Sequence, residues 1–457
     1  MNRVTKRTWL MSLFILVLLG GMLFFLGEYV TKASTWIVST GSPHLYNGTN
    51  IGFGTVTDRH GALLLDISGS RSYSSDPDTR KSTLHWLGDR NGSIRASAVS
   101  NYSAAMAGFD LWNGIYNTEG VGGSTQLTLS AKVQNTALSA MDGRKGTVAV
   151  YNYKTGEILC ALTTPTFDPD NVPDIEGDET GAYSGVYVNR FLQSAYVPGS
   201  IFKIATLAAA METDPSILEG TFTCRGIVEY GTEAVTCEKS HGTQDVKLAF
   251  ANSCNCAFAE IAEKLGKKNM TSQIKAFELT QPLEFDGVKT RAGNYDVSAA
   301  APVSFAWSCI GQYNDLVNPA RYMTFMGTIA GGGQAAKPHI VARVESGGKV
   351  TYEAKAVKTG RTLSQETAER LQEMMRNNVS AVYGDWNFNG LNVCAKSGTS
   401  QLGGEETSNA MFAGFVADED YPLAFMVVVE NGGYGASTCV PIISRVLSVC
   451  KQVMDES

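Results

Sequence analysis

The sequence predicts an α+β protein: an antiparallel sheet covered by helices, standing on a small irregular pedestal domain and one transmembrane helix. Three observations predict it. Strand-like runs both open and close the region from residue 146 onward. Helical apolar spacing dominates between, from 200 to about 280. Residues 8–27 form an uncharged apolar run, and about 20 such residues suffice for a helix to cross a bilayer.

The apolar run follows Arg3, Lys6 and Arg7, so residues 1–7 are expected to stay cytoplasmic and the rest of the chain to lie outside. A cleaved leader has a shorter apolar stretch ending in small residues, whereas this one ends in Leu26-Gly27-Glu28-Tyr29. Residues 8–30 are therefore expected to remain as an anchor. Residues 31–145 are rich in Gly, Ser, Asn and Asp and are read as the pedestal. Short strand-like runs at 54–57 and 62–65 flank a turn at Asp58-Arg59-His60-Gly61, and Leu84-His85-Trp86-Leu87 reads as another strand. No chemistry is evident there.

Residues 146–457 carry the stronger pattern. Runs 147–151 and 158–162 read as two strands joined by a turn at Lys154-Thr155-Gly156. Runs 392–395, 410–416 and 423–429 read as three more, and 440–453 as a closing helix.

A net charge of -7 without basic clusters excludes a nucleic-acid footprint. Among nine cysteines, Cys224 and Cys237 flank a short polar segment and could pair, which geometry decides. Cys160, Cys309, Cys394 and Cys450 sit in apolar runs as small hydrophobes. No Cys-x-x-Cys pair or histidine cluster suggests zinc, the five histidines being scattered.

The chemistry begins at Pro198-Gly199-Ser200-Ile201-Phe202-Lys203. Lys203 is the lone charge from 201 to 211, in a segment apolar all round and hence buried. Residues three apart share a helix face, placing Lys203 beside the Ser200 hydroxyl. Burial lowers a lysine pKa, and a neutral amine next to a serine is a general base for it. The same spacing at Ser272/Lys275, Ser346/Lys349 and Ser448/Lys451 falls on a polar helix, a hairpin turn and the terminal helix. As a plain helix cap, Ser200 would need no lysine neighbour. Ser253-Cys254-Asn255 is the sole Ser-x-Asn, set in a mostly apolar run where its polar side chains need partners. Lys396-Ser397-Gly398-Thr399 follows one strand and precedes two. Lys396 and Gly398 share a strand face, the glycine admitting a close backbone and the lysine offering charge to a carboxylate. Look-alikes at 154–156 and 358–360 lack flanking strands on both sides.

The ordered set Ser200-x-x-Lys203, Ser253-x-Asn255 and Lys396-Ser397-Gly398 resembles penicillin-binding proteins and serine β-lactamases. Residues 145–169, Asn189-Arg190, Gly311-Gln312, Pro319 and 412–415 look like class B penicillin-binding proteins of the short A type, and 54–61 is similar to the opening of their pedestal. That resemblance implies a D,D-transpeptidase of peptidoglycan stem peptides, inhibited by β-lactam antibiotics. It makes Ser200 the nucleophile, Lys203 its base, and Ser253 and Asn255 the proton relay and peptide guide. Lys396 and Thr399 would hold the substrate carboxylate, with Ser397 and Gly398 lining the same strand. It implies a membrane glycan polymerase as partner and neither metal nor cofactor. Hydrolysis by the same site, as in a D,D-carboxypeptidase or β-lactamase, and a scaffold or penicillin-sensing role are the rivals.

Overall fold

The computed structural model describes residues 2–37, 54–67, 71–94, 123–400 and 408–456, together with Met106 and Leu111. Its centre is a five-stranded sheet: β1 (Gly146–Asn152), β2 (Ile158–Thr164), β3 (Val393–Ser400), β4 (Asn409–Val416) and β5 (Leu423–Val429). The strand order is β3-β4-β5-β1-β2, antiparallel throughout. Every residue of β5 is buried, as is every residue of β1, β2 and β4. Helices cover both faces, which explains why these strands read as continuous apolar runs rather than alternating ones.

One face packs on α2 (Ala131–Met141) and α7 (Gly435–Asp455), reached from the N-terminal helix α1 (Asn2–Ile37) through the small domain. The other packs on α5 (Pro319–Ala330), and the same apolar cluster takes in α3 (Lys203–Thr213) and α4 (Asn255–Ala276), which pack on each other. α6 (Gln365–Asn378) flanks β3. The fold is thus the expected α+β arrangement, with β3 as a sheet edge.

α1 includes one candidate membrane span, Arg3–Ala33, with mean hydropathy 2.5 in its most apolar window and none of that window buried.

Two expectations need correction. Leu84-His85-Trp86-Leu87 is no strand but the end of a helix, Pro77–Leu87. Asp76 caps that helix by accepting from the Asp78 and Thr79 amides, and proline suits its first turn. Trp86 is fully buried and donates from Nε1 to the Ala161 carbonyl of β2 at 2.7 Å. The helical stretch from 200 to 280 is interrupted by Phe222–Cys224, Ile227–Tyr230, Glu233–Thr236 and Gly242–Gln244, which pair as two small ribbons. Their glycine and threonine content breaks the 3.6-residue period, and Gly226, Gly231 and Gly242 take left-handed backbone that closes their turns.

The small domain contains a mixed six-stranded sheet. Thr55–Thr57, Leu63–Asp66, Ser72–Tyr73 and Ser124–Leu127 come from the N-terminal part. The remaining two strands, Val341–Ser346 and Lys349–Glu353, come from deep within the following region. In turn α2, which precedes residue 146, belongs to the core of the large sheet. The pedestal expected over 31–145 therefore has no single boundary in the chain, and part of that span lies outside the described residues.

Candidate active site

Gly199–Phe202 forms one 3-10 turn that runs straight into α3, so Ser200 sits at the mouth of a helix whose residues 203–211 are all buried. Two hydrogen bonds hold the turn, and a third ties the adjacent Gly311-Gln312 segment to β3. Gly199 donates its amide to the Gly311 carbonyl (2.8 Å), Tyr322 Oη donates to the Ile201 carbonyl (2.6 Å), and Gln312 Nε2 donates to the Thr399 carbonyl of β3 (3.3 Å).

Lys203 is fully buried. Its Nζ lies 2.7 Å from the Ser253 carbonyl, 2.7 Å from Asn255 Oδ1, and 3.1 Å from both Ser200 Oγ and Ser253 Oγ. A neutral amine has two N–H groups and one lone pair. The carbonyl and the amide oxygen accept only, so they take the two N–H groups and leave the lone pair for a hydroxyl proton. Asn255 is kept in this orientation because its Nδ2 donates to the Thr236 carbonyl at 2.7 Å. Burial pushes the Lys203 amine well below the usual lysine range, and the nearby Lys396 pushes it further down.

Lys396 is also buried, and burial lowers its amine to about 7. It donates to Ser253 Oγ at 3.1 Å and to the Ser397 carbonyl at 2.9 Å. Ser253 therefore bridges two lysines, in left-handed backbone at φ 53°. That conformation is uncommon for serine and turns its hydroxyl inward from the corner between Val246–Ala251 and α4.

Gly398 lies against the nucleophile turn: a Cβ there would stand 2.8 Å from the Pro198 carbonyl oxygen and 3.1 Å from the Ile201 nitrogen. The Thr399 hydroxyl accepts from the Gly435 amide at 3.1 Å, which leaves its proton free to donate. The Ser397 hydroxyl is engaged by Tyr383 Oη at 2.9 Å, and the same Oη accepts from the Ser397 amide. All eight residues singled out by sequence thus converge on one place. Ser200, Ser253, Asn255, Ser397 and Thr399 line a cavity of about 430 Å³, with both lysines behind it.

The look-alike motifs scatter. Ser272 lies on α4, Ser346 and Lys349 on a hairpin, Ser448 on α7, and 154–156 in the turn between β1 and β2.

Several cavity residues carry no sequence signal. Trp307, Tyr434 and Gly435 line it, and Tyr383 orders Ser397 from a π-helical turn at Val379–Tyr383. All nine cysteines are free thiols. Cys237 faces Cys254 at 3.8 Å between sulfurs, and Cys224 faces His241 instead. Cys160, Cys309, Cys394 and Cys450 are buried as expected, and burial raises each thiol pKa.

A helix-covered antiparallel sheet, with a serine and a desolvated lysine beside its edge strand, defines an enzyme of the active-site-serine acyl-transfer class. Residues 146–448 match the family model "Penicillin binding protein transpeptidase domain", and the chain belongs to that family. It is similar to stage V sporulation protein D of Bacillus subtilis, 27% identical over 420 residues, which cover 87% of this chain and 61% of that one. It is 25% identical over 368 residues to peptidoglycan D,D-transpeptidase PbpA of Mycobacterium tuberculosis, covering 72% of this chain and 73% of the relative. The structure of penicillin-binding protein A from M. tuberculosis as a penicillin G acyl-enzyme superposes with a TM-score of 0.71 at 22% identity, over 88% of this chain and 100% of that one.

Proposed function

We propose that this chain is a membrane-anchored peptidoglycan D,D-transpeptidase that works through an acyl-Ser200 intermediate and is inhibited by β-lactams. The observation that carries this reading is the position of Ser200 Oγ, 3.1 Å from the amine of a buried lysine whose two N–H groups are already engaged. The name of PbpA and the penicillin G adduct of the M. tuberculosis protein support it.

In this reading Ser200 Oγ attacks the penultimate D-alanine carbonyl of a stem peptide while its proton passes to Lys203 Nζ. The amides of Ser200 and Thr399 receive the negative charge on the carbonyl oxygen. Lys396 and the Thr399 hydroxyl bind the terminal carboxylate. The peptide lies along the free edge of β3 as an added strand. Ser253, in contact with both amines, returns the proton to the departing D-alanine nitrogen, and Asn255 orients the peptide. The amine of a second stem then attacks the ester and releases Ser200. A membrane glycan polymerase would supply the strands being joined.

Peptide mapping after incubation with penicillin is expected to place one adduct on Ser200. An adduct on Ser272, Ser346 or Ser448, or none, would overturn the assignment.

The two lysines pull the pH profile in opposite directions. Lys203 must be neutral, so acylation falls toward acid. Lys396 is charged below about 7 and loses its hold on a carboxylate as pH rises through that value. The apparent second-order rate constant for penicillin acylation should therefore show an alkaline limb near neutrality, since this constant reports the free enzyme. Lys396→Arg keeps the charge at every pH and should be slower overall but lack that limb. An unchanged limb in the variant would remove Lys396 from carboxylate binding.

For topology, we propose that residues 1–7 are cytoplasmic and the folded part external, on the strength of the basic flank before the span. Protease added to wall-free intact cells should digest everything beyond the span; complete protection would reverse the orientation.

A further inference from the structure

Cys224, Cys237, His241 and Cys254 come from four separate points on the two ribbons and the Ser-x-Asn corner. Cys224 ends Phe222–Cys224, Cys237 follows Glu233–Thr236, His241 precedes Gly242–Gln244, and Cys254 is the central residue of the motif. Their three sulfurs and one ring nitrogen all lie within 4.8 Å of one another. Cys237 Sγ to Cys254 Sγ is 3.8 Å and Cys224 Sγ to His241 Nδ1 is 3.4 Å. A tetrahedral zinc centre with Zn–S of about 2.3 Å and Zn–N of about 2.0–2.1 Å has S···S edges of about 3.8 Å and S···N edges of about 3.5 Å. The two measured edges match those lengths.

We propose that these four residues bind one zinc ion that clamps the ribbons onto the Ser253-Cys254-Asn255 corner. Three thiolates and an imidazole are the soft, closed ligand set of a structural zinc site. The surroundings supply the hydrogen bonds that thiolate ligands require. Cys237 Sγ accepts from the amides of Asn255 (3.0 Å) and Cys256 (3.3 Å), and Cys254 Sγ accepts from the Ala257 amide (3.5 Å). These donors are the first amides of the 22-residue α4, whose N-terminus favours negative charge. The clamp acts on the reaction through position. Cys254 holds the backbone between Ser253, in its left-handed conformation, and Asn255, whose amide is already tied to Thr236 beside Cys237. The motif is thereby fixed on both sides without any metal contact to substrate. This assignment concerns metal content and stands or falls independently of the transpeptidase reading.

The rival use of the same atoms is a Cys237–Cys254 disulfide, which places the cluster in a redox role. The test uses the full chain in detergent, reduced, stripped of metal and titrated with zinc or with cobalt. One zinc per chain by elemental analysis, and an intense thiolate-to-cobalt charge-transfer band with tetrahedral visible bands, are expected. Cys224→Ser and His241→Ala should each weaken zinc affinity by at least about a hundredfold, beyond the 10–100-fold typical of losing an outer-shell partner. If either variant fails to fold, the parent's cobalt spectrum still decides. Less than half an equivalent of zinc in the reduced parent, a cobalt spectrum without the thiolate band, or metal-free chain isolated with Cys237 and Cys254 joined would each overturn the proposal.

Discussion

Lys203→Met is expected to give a folded protein, melting close to the parent, whose acylation by penicillin is slowed at least about a hundredfold, the low end of what general-base assistance contributes. Two effects on stability oppose each other. Methionine fills a similar volume, and replacing a desolvated amine in an apolar helix by a thioether is favourable. Against this, the Ser253 carbonyl and Asn255 Oδ1 lose their donor, at a cost of about 1–3 kcal/mol if nothing replaces it. Ser253 and Asn255 line the cavity, so solvent reaches them and keeps the cost toward the lower end. The kinetic effect has no such offset, because among the described residues Lys203 is the only base hydrogen-bonded to Ser200 Oγ. Stopped-flow acylation with a fluorescent penicillin, beside a thermal melt, checks both halves. A folded variant that acylates at near-parental rate would remove Lys203 from the mechanism.

Gly199→Ala is expected to be the more damaging substitution for the structure. Gly199 has φ 56°, and a Cβ there would stand 2.5 Å from the Thr399 carbonyl oxygen and 2.8 Å from its carbon. Left-handed backbone costs an alanine about 1–2 kcal/mol, and forcing a methyl into backbone adds about 1–3 kcal/mol. The neighbour is β3 itself, so relief requires the edge strand to move away from the nucleophile turn. Acylation should therefore fall by more than the loss in melting temperature suggests. Measured at a temperature where the variant is fully folded, a rate within about threefold of the parent, less than 1 kcal/mol, would show that the spacing is not critical.

The large sheet was legible because both of its faces are covered. Each buried strand is an unbroken apolar run, and glycine-rich or charged turns separate the runs. The catalytic cluster was legible for a related reason: Lys203 and Lys396 are charges in apolar surroundings, and such charges need a purpose. Residues 84–87 misled because four large side chains in a row read as a strand, whereas the decisive signal, Asp76-Pro77, lies seven residues earlier. The cysteine–histidine cluster was invisible because its members lie 13, 4 and 13 positions apart, in no local motif, and meet only when the ribbons fold over the Ser-x-Asn corner. The engagement of Ser397 by Tyr383 was hidden similarly, since a π-helical turn aims that phenol across the sheet edge.

The six-stranded sheet has a consequence for biosynthesis. Thr125 pairs with Val344, a partner made more than two hundred residues later. At about 5–20 residues per second, Ser124–Leu127 waits on the order of tens of seconds on the ribosome with one edge unpaired. During that interval it is exposed to mispairing with a neighbouring nascent chain. Release from the ribosome before Val341–Ser346 has been made leaves that edge permanently open, so truncations ending between 204 and 340 should aggregate even though they include the serine and its lysine.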